Sequence, residues 1–175
     1  ADHVTGLPGI LMLSAQVDRE EPLYIIGPPK IREYVEMTRE VLDMYINYDI
    51  IIQEIDDPTT PRTVYQDEGF TIKSIPLQHS KPCVGYTLEE DPRSGVFYPE
   101  RAKEAGVPMG PLWARLQRGE AVVLESGEEI RPEQVLGPAR KGRKFSFVTD
   151  TAYRKDIAPR VHGSDLLICE GMFAE

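Results

Sequence analysis

The chain has 175 residues, 20 Lys/Arg against 29 Asp/Glu, a formal net charge of -9 and 41% hydrophobic residues, which suits one domain, or one domain with an insertion, built on a packed core. No apolar run approaches the ~18 residues that span a bilayer, no signal peptide opens the chain, and two cysteines (Cys83 and Cys169) cannot make a disulfide scaffold, so a reduced cytosolic setting fits. The acidic total argues against nucleic-acid binding through overall charge and leaves room for a local basic patch.

Ala1-Asp2-His3 runs at once into an apolar stretch, and Cys169 to Glu175 follows straight after a strand-like run. Such ends predict an internal fragment of a longer protein. Val4 to Ala15 is mostly apolar and predicts a buried helix, with Pro8 in its first turn or before it. Leu23 to Ile26, closed by Gly27-Pro28-Pro29, predicts a buried strand and a turn. Ile31, Tyr34, Val35, Val41, Leu42 and Tyr45 fall at helical spacing over Lys30 to Tyr45, with Pro29 suited to the first position. Asp49 to Ile55 reads as a strand and Asp56 to Pro61 as a loop. Thr63 to Tyr65 and Phe70 to Leu77 read as paired strands about Glu68-Gly69, and Cys83 to Leu88 as another strand.

From Asp91 to Lys144 Gly and Pro become dense. Short helices are expected at Pro99 to Ala105 and Leu112 to Arg118, and a stiff turn cluster at Gly106 to Pro111. Ala121 to Leu124 and Glu129-Ile130 flank Ser126-Gly127 as a small hairpin. Core-like texture then returns: a strand over Phe145 to Val148 ending in Thr149-Asp150-Thr151, a helix over Ile157 to Val161, and a buried strand over Leu166 to Cys169. The alternation indicates an α/β layered domain with an inserted arm. Residues 92–144 hold ten Lys/Arg and seven Asp/Glu, a balance of +3, against -12 for the remainder. The densest basic cluster, Arg140-Lys141-Gly142-Arg143-Lys144, is either a solvated loop or a polyanion contact.

Three places carry metal-competent side chains at strand ends or helix starts: Asp2-His3, His79 and Asp150. Imidazoles and carboxylates suit zinc, or manganese where carboxylates dominate. Taken singly each has a plain alternative: a surface pair, a structural histidine, a loop cap. His162 reads as a helix C-terminal cap, Cys83 and Cys169 as small core residues, and Trp113 and Tyr98 as packing anchors or base-stacking platforms. No P-loop, dinucleotide-binding glycine pattern, serine elbow or zinc-ribbon cysteine pair is present.

In combination these residues resemble a known family. ADHVTGLPGILML looks like the second half of the H-x-H-x-D-H motif of the metallo-β-lactamase fold, in the form used by ribonuclease Z, the tRNA 3′-processing endonucleases. Gly6-Leu7-Pro8-Gly9 matches its helix start. Leu77-Gln78-His79 with Val84-Gly85-Tyr86 looks like the segment of the third-motif histidine. Gly106 to Leu112, Gly119-Glu120 and Val122 resemble the flexible exosite arm, and Thr149-Asp150-Thr151 the family's Gly-Asp-Thr. Thr149 replaces that Gly, and Cys169-Glu170-Gly171-Met172 stands where many members have His-Glu-Ala-Thr.

The resemblance implies an α/β fold: part of a metallo-β-lactamase-like αββα sandwich (residues 1–91 and 145–175) with a Gly/Pro-rich exosite arm (92–144). It implies two divalent ions, zinc or alternatively manganese. Asp2 and His3 would bind one, His79 the other, and Asp150 both, with Asp2 helping the attacking water. It implies precursor tRNA as substrate, gripped through Gly106, Pro108, Gly110, Pro111, Arg115, Arg118, Arg140, Lys141, Arg143 and Lys144, and a cytoplasmic homodimer. Four of seven expected ligands predict a piece inactive by itself. The alternatives are another phosphodiesterase of this fold acting on small substrates, or a non-catalytic RNA-binding remnant.

Overall fold

The computed structural model describes residues 2–171, with Asp2 described by its backbone alone. A 3-10 turn at Asp2–Val4 leads into α1 (Leu7–Gln16), then β1 (Leu23–Gly27), α2 (Ile31–Val41), β2 (Ile50–Glu54), β3 (Thr63–Asp67), β4 (Phe70–Pro76) and β5 (Val84–Glu90). There follow α3 (Pro99–Glu104), α4 (Pro111–Gln117), β6 (Val122–Val123), β7 (Glu129–Ile130), α5 (Pro132–Val135), β8 (Lys144–Val148), α6 (Ile157–Val161) and β9 (Leu166–Cys169). None of the described helices is long and apolar enough to cross a membrane. The chain divides into two compact units, 1–89 with 144–175, and Glu90–Arg143.

The first unit is a mixed α/β assembly with an open sheet. β1 and β2 pair in parallel from Leu23↔Ile50 to Gly27↔Glu54. A second sheet runs in the order β3-β4-β5-β8-β9, with β5 antiparallel to β8 and β8 parallel to β9. Strand alternation sorts the side chains into layers. Leu11, Ile25 and Val35 form a core between the helices α1 and α2 and the β1–β2 pair. Val64, Ile72, Val84 and Tyr86 on one face of the larger sheet meet Ile26 and Ile55. The opposite face brings Ile75, Leu77, Cys83 and Val148 against Ile157 and Val161 of α6. The packing order is therefore helix, sheet, sheet, helix.

The structure corrects several local expectations. α1 keeps Pro8 in its first turn, but only Leu11 of the helix is buried, and Ile10 and Leu13 are mostly exposed. Its packing uses one narrow stripe, Leu7 and Leu11, so the apolar sequence does not mean a buried helix. Pro29 does not open α2. Lys30 occupies the N-cap position, in the left-handed region at φ 77°, with its carbonyl accepting from Tyr34 N–H and no cap bond from its side chain. α2 ends at Val41, since Asp43 also turns left-handed (φ 46°), which leaves Tyr45 outside the helix and exposed. β9 is an edge strand of the described sheet and every residue in it is exposed, Cys169 included, so it is not the buried strand expected.

The second unit has its own core of Ala102, Val107, Leu116, Val122, Ile130 and Val135. Trp113 packs here: its ring lies 5.2 Å from that of Phe97, and Nε1–H donates to the Val107 carbonyl. The ends of the unit run side by side. Glu90 N–H donates to Arg143 O, Arg93 and Arg140 form an antiparallel bridge, and the Arg143 guanidinium clasps the Glu90 carboxylate. A Cβ on Gly142 would lie 1.9 Å from Glu90 O, so the glycine in the basic run is there for close approach. Within these bounds the unit holds nine Lys/Arg and nine Asp/Glu, because Glu90 and Asp91 enter and Lys144 leaves.

Candidate metal centre

Asp150 and Glu170 reach one place through topology. β8 and β9 are parallel, with Val148 opposite Cys169, so the chain leaves both strands at the same edge of the sheet. Glu170 N–H donates to Val148 O there. The β4–β5 connection, closed by Leu77 N–H donating to Cys83 O, brings His79 to that edge. Gln78 N–H donates to Thr151 Oγ1 and Ala152 N–H to Gln78 O, which ties the His79 segment to the Asp150 segment. His3 arrives from the turn ahead of α1.

These side chains converge closely. His3 Nε2 lies 3.1 Å from Asp150 Oδ1 and 3.1 Å from Glu170 Oε2, while His79 Nε2 lies 3.0 Å from Asp150 Oδ2. Asp150 thus presents one oxygen to each imidazole. Ligand atoms of His3, Asp150 and Glu170 all fall within 4.8 Å of one another. Glu170 Oε2 is buried and, despite its nearness to His3, makes no hydrogen bond. One imidazole nitrogen facing two carboxylates can serve at most one of them by N–H donation. A buried carboxylate oxygen left without a donor calls for a cation, and imidazole with carboxylate is a donor set that suits zinc or manganese. The residues present fit a divalent ion.

Asp2 starts the same turn as His3, and its carboxylate lies outside what is described. Glu170 carries no role in the sequence reading. The signal was there in the parallel crossover, which aligns the ends of β8 and β9 and so places any acid after Cys169 beside Asp150. His162 ends α6 and offers its carbonyl to Lys144 Nζ.

Of the expected substrate-binding residues, all but Lys144 belong to the second unit. Gly106, Pro108 and Gly110 lie in the turn between α3 and α4, with Gly106 and Gly110 at positive φ, and Pro111 opens α4. Arg115 and Arg118 share the Glu120 carboxylate and hold it below the ordinary carboxylate range. Arg140 Nε donates to Ser94 O, and Lys141 lies exposed beside it. Arg143 holds Glu90 down at about 2. Lys144 belongs to β8 in the first unit, with its ammonium between Glu89 and the carbonyls of Arg160 and His162.

No protein-family model matches the chain. It is 62% identical over 173 residues to a ribonuclease Z of Treponema denticola and 57% identical over 173 residues to one of Treponema pallidum, in each case across 99% of this chain and 55% of the relative. A ribonuclease Z of Borrelia hermsii is 42% identical over 175 residues. The chain therefore spans about half the length of the curated relatives it matches. The crystal structure of the short form of human tRNase Z matches 49% of this chain and 39% of its own, at 22% identity and a TM-score of 0.42. With that level of identity along nearly all of its residues, the chain belongs to the ribonuclease Z family.

Proposed function

We propose that the protein carrying this chain removes the 3′ trailer of precursor tRNA by metal-dependent phosphodiester hydrolysis. The first unit would be the metallo-β-lactamase-like sandwich, and residues 92–144 the tRNA-binding arm. The observation that carries the reading is the Asp150 carboxylate, with one oxygen toward His3 and the other toward His79, beside a buried Glu170 oxygen that faces His3 without a hydrogen bond. Asp2 and His3 would hold one divalent ion, His79 the other and Asp150 both, with Glu170 a further oxygen donor. Bound there, the ions would supply a water made nucleophilic at neutral pH and stabilise charge on the phosphodiester. The chain's own part is to orient and to move protons. Asp150 would fix the spacing of the two imidazoles, and the Asp2 carboxylate would take the proton of the attacking water. Arg115, Arg118, Arg140, Lys141 and Arg143 would hold tRNA phosphates and position the substrate.

Zinc, with manganese the alternative, fits this donor set. A cytoplasmic homodimer completes the proposal. Its support is the apolar surface left open on two packed helices, Ile10 and Leu13 of α1 with Met37 and Val41 of α2.

The test uses a chain of the relatives' full length with these residues in place. About two metal ions per chain and cleavage of a 3′-extended tRNA are expected, with both lost in Asp150→Ala. Metal binding with turnover of small phosphodiesters alone would sink the tRNA reading. RNA binding with no bound metal would sink the catalytic one. Sedimentation of Leu13→Glu as a monomer, with the unsubstituted protein a dimer, is the expected result for the homodimer.

A further inference from the structure

We infer that Thr151 is a positioning residue of the metal centre: its hydroxyl locks the segment that carries Asp150 onto the segment that carries His79. This rests on the metal-centre reading above and concerns how the centre is held in shape. Asp150 faces imidazoles from two distant parts of the chain, so its aim depends on how its loop is anchored. Gln78, next to His79, is 73 positions from Thr151, and its N–H donates to Thr151 Oγ1 at 2.9 Å. The same hydroxyl donates to Ala152 O at 2.9 Å, and Ala152 N–H returns to Gln78 O at 2.7 Å. Two hydrogen bonds in opposite directions thus join the loops, one residue from His79 and one and two residues from Asp150. On the other side of Asp150, the buried Thr149 places its Oγ1 3.3 Å from Cys83 Sγ, at the far end of the same β4–β5 connection.

The aspartate is therefore held between two threonines, both attached to the segment that bears His79. Gln78 and Ala152 are exposed, so water competes for the Thr151 bonds and they add little to global stability. What they fix is the distance from Asp150 to His79, 3.0 Å between Oδ2 and Nε2. Groups that orient metal ligands govern affinity even though they never touch the ion.

The experiment is Mn2+ titration of the full chain, followed by paramagnetic broadening of the His3 and His79 imidazole signals, with thermal unfolding alongside. Thr151→Val keeps the branched shape and loses the hydroxyl. Its Kd should rise at least about tenfold, with His79 broadening reduced more than that of His3. Thr151→Ser keeps the hydroxyl and should restore affinity to within about twofold. Ser146→Ala is the control for a merely structural role: its hydroxyl joins Thr87 and Ser164 elsewhere on β8, so it should lower the melting temperature and leave Kd unchanged. An unchanged Kd in Thr151→Val overturns the inference, as does a Kd in Ser146→Ala that rises equally. No saturable broadening in the unsubstituted chain, or an unchanged Kd in Asp150→Ala, overturns the metal-centre reading instead.

Discussion

Tyr86→Phe tests how the two sheets of the first unit are joined. Leu23 N–H and Gly27 O bond to the β2 side, so parallel alternation turns the Ile26 carbonyl away from β2. The Tyr86 hydroxyl donates to that carbonyl at 2.8 Å from the facing sheet. Removing it loses one hydrogen bond and leaves a half-buried carbonyl unserved, together ~1–3 kcal/mol. With a urea dependence of ~1–3 kcal/mol per molar, the unfolding midpoint should fall by ~1 M. A second signature comes from alkali. Burial pushes the Tyr86 hydroxyl from 10.0 up to about 12. The folded value is raised, so the stabilisation is fully present below pH 10 and is lost as pH rises toward 12, by ~3 kcal/mol in all. The unsubstituted chain should show this alkaline loss, and Tyr86→Phe should lack that part of it. Circular dichroism across urea at pH 7 and pH 11 reads both. Equal midpoints at pH 7, or alkaline losses of equal size, would refute the argument.

Lys30→Gly should stabilise the first unit by ~1 kcal/mol, because a side chain at φ 77° is strained where glycine is not; calorimetry should show a melting temperature higher by ~2–4 °C. Leu116→Ala removes a fully buried side chain from the small second core and should cost ~2–5 kcal/mol, enough to collapse amide-exchange protection throughout residues 90–143. Glu90 is held at about 2 by Arg143, so its contribution is present above the ordinary 4.5 and is lost as pH falls toward 2. Carboxyl titration by NMR should therefore find Glu90 near 2, and Arg143→Ala should return it toward 4.5.

Much of the fold was legible because its elements announce themselves by period and punctuation. Ile157–Val161 and Leu166–Cys169 fall at their expected bounds, and the β3–β4 pair turns at Glu68-Gly69 as expected. What sequence could not convey was environment. The apolar run Leu166–Cys169 reads as buried, yet it is an edge strand, and burial depends on what lies beside an element. α5 escaped notice because four residues carry no period. His3, His79 and Asp150 were visible as residue types at strand and helix ends, whereas their convergence is a property of topology. Glu170 needed the parallel register of β8 and β9 before it could be paired with Asp150 at all. The charge of the arm shows the same limit: its basic balance depended on where its edges were drawn, and Glu90 and Asp91 fall inside the compact unit.

The paired neck of the second unit bears on how such a protein can be rebuilt. β5 and β8 are antiparallel neighbours, with Glu89 directly opposite Lys144, so everything from Glu90 to Arg143 leaves and re-enters the sheet at a single rung. An Asn-Gly dipeptide between Glu90 and Arg143, the next pair along and one whose backbones bond, would close the ladder as an ordinary two-residue hairpin. The sheet would keep its register, and the shorter connection would carry a smaller loop-closure entropy. The same rung that admits this unit could accept a different folded module whose termini lie side by side, which makes it a natural splice point for exchanging one module for another.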